Sequence, residues 1–265
     1  MIYLNFGHNK TDKKIKFQNL HFEYSRNNKD IQVFYDDLKL VILDGFFFDL
    51  ETICKEFGCK PSNNHAEIIF NLQEKDIENF ITNVDGFFNL FLVNLKHGTI
   101  KAYSDHVGSK TIFFTYLKND LLLSDDIKYL LNKSDKQQLN KKKVTEYFSL
   151  MNNFGGDTFF EEIYEINARE CLDFQKNVFR RREYFNFKAV INNLSIDDNA
   201  KLLRKSFLES IDNCLTYYNA DIATALSGGL DSSSITSATK FLNKKDFVSK
   251  TVTFQDENIS YELYY

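Results

Sequence analysis

The stretch Ala223-Thr224-Ala225-Leu226-Ser227-Gly228-Gly229-Leu230-Asp231-Ser232-Ser233-Ser234-Ile235 decides how the C-terminal part of the chain folds. The apolar run 222–226 predicts a buried strand, and the residues that follow Asp231 suit a helix. The glycines between them let the backbone approach a ligand closely, and the helix start adds unpaired N–H donors and a positive dipole end. This combination predicts an anion site, and phosphate is the anion that suits it best.

The polar side chains of this turn indicate how a nucleotide would be held. Ser227, Ser232 and Ser233 can donate hydrogen bonds to phosphate oxygens, whereas Asp231 cannot and is expected to hold a cation such as Mg²⁺. The alternative is an ordinary strand-to-helix turn with Asp231 as its N-cap, which explains one glycine and the aspartate but not the second glycine or the three hydroxyls. A Walker A loop is excluded because no Gly-Lys-Ser/Thr follows.

The segment Ser227-Gly228-Gly229-Leu230-Asp231-Ser232-Ser233 resembles the PP-loop of ATP pyrophosphatases, in the form found in asparagine synthetase-like enzymes. In that family a substrate carboxylate attacks the α-phosphate of ATP to give an acyl-adenylate, from which an amine displaces AMP. The resemblance implies that Asp231 binds Mg²⁺, and that Val252 and Phe254 at the end of the next strand contact adenine. It implies a pyrophosphate-binding set of Leu226, Ser227, Gly228, Gly229, Asp231, Ser232 and Ser233.

Five further segments, each weak alone, resemble the N-terminal domain of the same family in their order and spacing. They are Val41-Ile42-Leu43-Asp44-Gly45, Val84-Asp85-Gly86-Phe87-Phe88, Ser104-Asp105-His106-Val107-Gly108-Ser109-Lys110, the segment 122–130 and the segment 156–163. The resemblance implies an α/β protein with an α+β N-terminal domain. Residues 1–185 would form an Ntn-hydrolase-like αββα sandwich, and residues 195–265 the N-terminal part of a PP-loop parallel-sheet domain, joined by a linker at 186–194.

The hydrophobic pattern supplies the elements of the first domain. Gly86–Asn94 is nearly continuous apolar sequence, which is typical of a strand covered on both faces. Helices are expected at Leu50–Phe57 and, as one long helix, at Ile68–Val84. The remaining strands are expected at Ile31–Tyr35, Leu40–Phe46, Thr99–Ser104, Thr111–Leu117 and Leu121–Ser124, with a helical stretch at Val144–Met151 and a hairpin around Cys171–Tyr184.

Departures from the family pattern remove the expected glutamine chemistry. Glutamine-using members carry a nucleophilic cysteine directly after the initiator Met, but this chain has Ile2, whose side chain has no nucleophilic atom. The family's Asn-Gly pair reads Asp44-Gly45 here, and His65 stands where an Asp is expected. We therefore expect no catalytic residue in the N-terminal domain. His65 could be a ligand or an acid/base residue, but alone in a polar loop it is expected to be a solvated side chain.

Composition and charge limit the classes of partner. The chain has 265 residues, enough for about two domains, and a net charge of −4, which gives no basic footprint for nucleic acid. Its longest apolar runs fall short of a membrane span and the N-terminus lacks a signal-peptide profile, so a cytoplasmic location is expected. Arg180-Arg181-Arg182 predicts a solvated turn or an interdomain salt bridge rather than a phosphate site. Reduced structural thiols are expected at Cys54, Cys59, Cys171 and Cys214.

The second domain is expected to be a βαβ unit preceded by a helix. Ser195 and Asp198 have the form of a capping box, and the helix they open should pack Leu203, Phe207, Ile211, Cys214 and Tyr218 on the sheet. A crossover helix at 232–242 leads to a parallel strand at 247–254. Because two parallel strands alone cannot be covered, a missing C-terminal segment or a partner chain is expected to complete the sheet.

The sequence is consistent with two functions. The first is an ATP-dependent ligase that forms an amide bond with an amine or ammonia rather than glutamine, resembling β-lactam synthetases and lasso-peptide cyclases, with a carboxylate-bearing amino acid or peptide as substrate. The second is a catalytically inactive or truncated ATP-binding or scaffold module that a partner chain completes. Adenylation of tRNA or a nucleobase is disfavoured by the acidic balance of the chain.

Overall fold

The computed structural model describes residues 2–6, 13–17, 20–24, 30–134, 137–217, 222–242 and 246–251. The chain divides into two compact units, Met1–Lys188 and Ala189–Tyr265. Within the described residues, no helix combines the length and the apolar character that crossing a bilayer requires.

The described elements are mostly short strands and helices. The strands are β1 (Ile2–Phe6), β2 (Lys13–Phe17), β3 (Leu20–Tyr24), β4 (Ile31–Tyr35), β5 (Lys39–Phe47), β6 (Gly86–Asn94), β7 (Thr99–Ser104), β8 (Phe113–Leu117), β9 (Asp120–Ser124), β10 (Ile163–Glu165), β11 (Glu170–Gln175), β12 (Val178–Glu183), β13 (Ala223–Ala225) and β14 (Val248–Lys250). The helices are α1 (Leu50–Glu56), α2 (His65–Asn71), α3 (Glu74–Asn83), α4 (Ile127–Lys133), α5 (Lys141–Leu150), α6 (Ile196–Tyr217) and α7 (Leu230–Leu242).

Two six-stranded sheets form the middle of the first unit. One has the strand order β10-β8-β9-β1-β3-β2 and the other the order β12-β11-β7-β6-β5-β4. In the first sheet β1 pairs in parallel with both β3 and β9, whereas the second sheet is antiparallel throughout its described pairs. The expected strands between Ile31 and Leu226 are confirmed to within two residues, whereas β1, β2, β3 and β10 were not predicted. β14 begins within one residue of the strand expected at 247–254, and the end of that expected strand lies outside the described residues.

The central strands β5 and β6 are buried on both faces, which explains their nearly continuous apolar sequence. On one face Leu40 and Ile42 pack with Phe114 and Leu123 of the facing sheet. On the other face the core consists of apolar side chains of the second sheet and of α1, α2 and α3, including Val41, Leu43, Ile53, Ile69, Phe80 and Phe88. Leu130 of α4 packs on Leu122 behind the first sheet. The expected αββα order of layers is therefore confirmed.

The single helix expected at Ile68–Val84 is wrong, because Leu72 and Gln73 are extended and separate α2 from α3. The break has a tertiary cause. The ammonium group of Lys39 donates hydrogen bonds to the carbonyl oxygens of Ile69 and Phe70, at 3.5 and 3.1 Å, and so binds carbonyls of the last turn of α2. A residue thirty positions earlier thus ends a helix whose own periodicity continues.

The arginine run lies on strand β12, so the predicted turn is wrong, whereas the alternative of an interdomain salt bridge stays a prediction. Arg182 donates to Glu78 of α3, at 2.9 Å from Nη1 to Oε1, and to Asp173 of β11 at 3.2 Å. Tyr103 donates to the same Glu78 at 3.2 Å. These contacts hold α3 against the sheet, and the Arg182 hydrogen bond is the main reason that the pKa of Glu78 is lowered.

The second unit contains α6, α7 and the parallel pair of β13 with β14. The expected N-cap is confirmed, since Ser195 Oγ accepts from the Asp198 N–H at 3.1 Å and donates to the Asp198 carboxylate at 2.8 Å. Two other expectations are wrong. Thr224 is the one buried residue of β13, so this strand is not a buried apolar one. Leu203 of the expected packed face of α6 is 72% exposed, whereas Phe207, Ile211 and Cys214 are partly buried and Tyr218 lies outside the described residues. Helix α6 packs against α7.

Candidate functional site

The glycine-rich turn connects β13 to the first residue of α7 in the order that the sequence predicts. Gly228 has a φ of +86°, a backbone conformation that residues other than glycine rarely adopt. A Cβ at Gly229 would meet Ser227 Oγ at 3.5 Å, which is an ordinary contact. The protein itself therefore requires the first glycine, whereas the second leaves the backbone open for a ligand to approach.

Two of the three predicted hydroxyls hold the turn together. Ser227 Oγ and Ser232 Oγ lie 3.0 Å apart, and Ser232 Oγ also accepts from the Ser227 N–H at 3.2 Å. The Gly229 N–H points at Ser227 Oγ at 3.4 Å. Because a hydroxyl can donate and accept, both side chains can exchange these contacts for phosphate oxygens without leaving the turn.

Hydrogen bonds connect the residue before the turn, Leu226, to the end of β14. The Leu226 N–H donates to the Lys250 carbonyl at 2.9 Å, and the Thr251 hydroxyl donates to the Leu226 carbonyl at 2.7 Å. One layer deeper, the buried Thr224 hydroxyl bonds Ser249 at 2.9 Å and Thr236 at 3.2 Å. These contacts fix the end of β13 relative to both β14 and α7, and so fix where the turn points.

Asp231 is exposed in the first turn of α7, next to the partly buried Ser232 and Ser233. No group of three or more His, Cys, Asp and Glu side chains suited to a metal occurs in the described ranges. Asp231 can thus offer one carboxylate, and Mg²⁺ would take its other oxygen ligands from phosphate and water. Val252 and Phe254, expected at the adenine, lie outside the described residues.

In the first unit, the position of the family's Asn-Gly pair contains an ion cluster. Asp44, at the end of β5, is 4% exposed and accepts from the Lys110 ammonium group at 2.9 Å. Lys110 also contacts Asp30 at 3.3 Å. Burial raises the pKa of Asp44, and Lys110 offsets this only in part. Burial also disfavours charge on Lys110, but the two carboxylates outweigh it and raise its pKa.

Lys110 reaches this cluster because Asp105 shapes the preceding loop. The fully buried Asp105 carboxylate accepts hydrogen bonds from the backbone N–H groups of Phe88, Val107, Gly108 and Ser109 at 2.7–3.2 Å. It also accepts from the Ser109 hydroxyl. The Ser104–Lys110 motif therefore contains a structural turn that places the Lys110 ammonium group.

The expectation of a solvated His65 is wrong. The side chain is 5% exposed at the first residue of α2, and its Nδ1 accepts from the Phe47 N–H at 3.0 Å. Its ring stacks on the Phe47 ring with 5.7 Å between centroids. Because burial lowers its pKa to about 4, His65 is a neutral acceptor that ties α2 to the end of β5.

This burial makes the stability of the first unit depend on pH. An unfolded His binds its proton near pH 6.5 and the folded one near pH 4, so the unfolded state holds more protons in this window and stability falls as pH falls. We expect the wild type to lose about 3 kcal/mol more than His65→Asn across that window. Asn is the matched variant because it keeps a hydrogen-bond acceptor and does not titrate. Urea unfolding at several pH values measures the difference, and equal slopes would contradict it.

Lys110 and Asp30 were not predicted as partners of Asp44, since these residues are 66 and 14 positions away from it in the sequence. Their charges alone gave no signal, because Lys and Asp residues are common throughout the chain. The signal that existed was indirect: a carboxylate in place of an amide within a buried apolar strand requires a cation nearby.

Two family models match the chain. The model of the glutamine amidotransferase domain covers residues 35–185, and that of asparagine synthase covers residues 202–264. The first match thus spans the αββα unit from β4 to the end of β12, and the second includes the glycine-rich turn.

Similar curated proteins include two glutamine-hydrolysing asparagine synthetases of Bacillus subtilis. Asparagine synthetase 3 is 26% identical over 206 residues, which cover 76% of this chain and 33% of that protein. Asparagine synthetase 2 is 24% identical over 218 residues, which cover 76% of this chain and 29% of that protein. The chain therefore spans about a third of the length of these relatives.

Among solved structures, the chain is similar to the glutamine phosphoribosylpyrophosphate amidotransferase of B. subtilis in complex with ADP and GMP. The identity is 10% and the TM-score 0.34, with 83% of this chain and 47% of that chain covered.

Proposed function

The chain belongs to the asparagine synthetase-like family, and from this premise we propose that it is part of an ATP-dependent ligase that forms an amide bond through an acyl-adenylate. The nitrogen of the new amide would come from ammonia or from an amine, and not from glutamine. The second unit would bind the nucleotide, and the first unit would serve as a scaffold without amidase chemistry.

The glycine-rich turn is the observation that carries the ATP proposal. It joins a parallel strand to the N-terminus of a thirteen-residue helix, with a glycine at positive φ and two hydroxyls facing each other across it. Backbone donors and a helix dipole of this kind stabilise the negative charge of a pyrophosphate. Leu226, Ser227, Gly228, Gly229, Ser232 and Ser233 would contact the phosphates, and Val252 and Phe254 remain a prediction for adenine.

Asp231 is the proposed residue for Mg²⁺. Its carboxylate is the donor type that Mg²⁺ prefers, and its place in the first helical turn puts it beside the proposed phosphate site. When bound, the ion would neutralise charge on the departing pyrophosphate. The chain's own contribution is to hold the phosphates in one position and to present this carboxylate.

Three features of the first unit support a nitrogen source other than glutamine. Position 2 is an isoleucine, which cannot form an acyl-enzyme. Lys110 engages Asp44 where the family pattern has an asparagine, and His65 is buried against Phe47. Lys110 and His65 each have a structural role, which argues against these two side chains binding or cleaving a glutamine amide.

We extend the proposal to ring closure of the β-lactam or lasso-peptide type, with a carboxylate on an amino acid or peptide as the activated group. The loss of glutamine chemistry supports it, because an amine within the substrate needs no ammonia from a second domain. The remaining substrate pocket would come from a missing C-terminal segment or a partner chain.

A second candidate function is an inactive ATP-binding or scaffold module. One observation favours it: all three residues of β14 are exposed, so the sheet of the second unit offers an uncovered surface. A partner chain that adds a strand or helix there would use the unit as a platform.

Calorimetric titration of the protein with ATP and Mg²⁺ tests the first proposal. We expect Asp231→Asn to weaken Mg²⁺-dependent ATP binding by about tenfold or more, which corresponds to the loss of one charged ligand. Asp197→Asn is the matched control, because Asp197 is an exposed carboxylate in the first turn of α6 and should change binding little. Equal affinities for Asp231→Asn and the wild type would remove Asp231 from the site, and no binding by either would favour the scaffold.

A further inference from the structure

Helix α1 ends in a backbone motif that brings two cysteines together. The Cys59 N–H donates to the Cys54 carbonyl at 2.8 Å, the Gly58 N–H donates to the Lys55 carbonyl at 3.4 Å, and Gly58 has a φ of +64°. These are the two hydrogen bonds and the left-handed residue of a Schellman motif. In this motif the side chains three positions before the cap and two after it commonly touch, and here both are thiols.

The surroundings of the two thiols differ. Cys54 is fully buried among apolar side chains of α1, α2 and α3, whereas Cys59 is partly exposed. Cys59 also lines an open groove of about 360 Å³, together with Lys60, Gln73 and Asp76. A small reagent can therefore reach Cys59 from solvent. We expect Cys54 to react only with a group that Cys59 already carries.

We propose that Cys54 and Cys59 form a thiol–disulfide exchange site whose substrate is a low-molecular-weight disulfide. The motif holds the two side chains on the same side of the helix end, and a disulfide bridges Cα atoms that are about 4.4–6.8 Å apart. The site is independent of the proposed ATP function, because it lies in the first unit and uses none of the residues of the turn.

The exchange balances in two steps. The Cys59 thiolate attacks one sulfur of the disulfide RSSR, forming a Cys59–S–S–R bond and releasing RS⁻. The Cys54 sulfur, after losing its proton to water, then attacks Cys59 Sγ, forming the Cys54–Cys59 bond and releasing the second RS⁻. The protein dithiol loses two electrons and two protons, and RSSR gains them as two molecules of RSH.

The order of these steps follows from burial. Burial raises the pKa of the Cys54 thiol to about 12, and the nearby Cys59 contributes to the rise. Cys54 is therefore protonated and unreactive toward reagents in solution at neutral pH. Once Cys59 carries the RS group, Cys54 faces an adjacent disulfide, and the intramolecular attack needs no diffusion.

Redox titration with oxidised and reduced glutathione tests the proposal on the full chain. The samples are quenched in acid, alkylated under denaturing conditions and digested, and the peptide containing both cysteines is identified by mass spectrometry. An intramolecular disulfide depends on the square of the reduced glutathione concentration, because two thiols are released, whereas a mixed disulfide depends on its first power. We expect the second-power dependence for Cys54 and Cys59.

Cys214 provides the internal reference. It is partly exposed and lies on α6, at least 43 positions from each of the other three cysteines in the sequence, so we expect it to form a mixed disulfide with first-power dependence. First-power dependence at Cys59, or two free thiols at Cys54 and Cys59 under conditions that modify Cys214, would overturn the proposal.

Two variants separate the roles of the sulfurs. Cys54→Ser should accumulate a stable mixed disulfide at Cys59, because no second thiol resolves it. Cys59→Ser should leave Cys54 unmodified, because its sulfur is buried. If Cys54 in the Cys59→Ser variant were modified as fast as Cys214, the reagent would not need Cys59, and the proposed order of steps would be wrong.

Discussion

Replacing Gly45 by alanine is expected to destabilise the first unit by at least about 4 kcal/mol, the range that only severe core defects reach. Gly45 has a φ of +130°, and an added Cβ would lie 1.9 Å from the Phe87 carbonyl oxygen. Relief requires β5 and β6 to separate at the point where Gly45 pairs with Phe88, in the middle of a sheet covered on both faces. The cost is therefore steric as well as conformational.

Gly155→Ala is the matched control for this prediction. Gly155 also has a positive φ, of +74°, but nothing lies within 4 Å of its added Cβ. Its replacement should cost only the strain of a left-handed residue, about 1–2 kcal/mol. The chain has no tryptophan, so far-UV circular dichroism in urea is the suitable measurement. Similar losses for the two variants would show that the close contact with Phe87 is relieved at little cost.

Replacing Lys110 by methionine is expected to cost about 3–5 kcal/mol, as for a broken buried ion pair. Methionine keeps the length of the side chain but leaves the buried Asp44 carboxylate without its cation. The double variant Asp44→Asn/Lys110→Met should recover most of the loss, because the amide carries no charge. Lys133→Met, which removes an exposed cation near Tyr129, is the control and should change stability by about 0.5 kcal/mol or less.

The pH dependence of the Lys110→Met variant distinguishes charge from packing. The folded pKa of Asp44 is already above its usual value of 3.8, and loss of the ammonium group should raise it further. The folded state then holds more protons between the unfolded and the folded pKa, so the variant is more stable toward pH 4 and weakens as pH rises through that window. A loss of stability that does not change with pH would assign the effect to packing.

Local sequence was sufficient to predict an element when the residues that determine it lie within that element. The apolar runs of β5 and β6 indicated strands covered on both faces, and Ser195 with Asp198 indicated the start of α6. The turn after β13 follows from Gly228, because positive φ strongly favours glycine in a tight turn. In each case the residues that determine the structure are within a few positions of one another.

Contacts between distant residues could not be read in the same way. Lys39 ends α2 from thirty positions upstream, and Arg182 on β12 binds Glu78 across 104 positions. A charged residue has the same local appearance whether it is solvated or paired, because its partner is chosen by the packing of the sheets. This is why the arginine run and the long helix at 68–84 were predicted wrongly.

The sequence by itself determined most strands of the first unit and the strand–turn–helix corner in the second, because hydrophobic period and glycine conformation are local properties. The αββα order of layers was implied by the family resemblance. Only the tertiary structure decided that His65 is a buried neutral acceptor and that Asp44 pairs with Lys110 and Asp30. Burial and charge pairing depend on which chain segments meet in space. That information is distributed over the whole fold, and no single motif contains it.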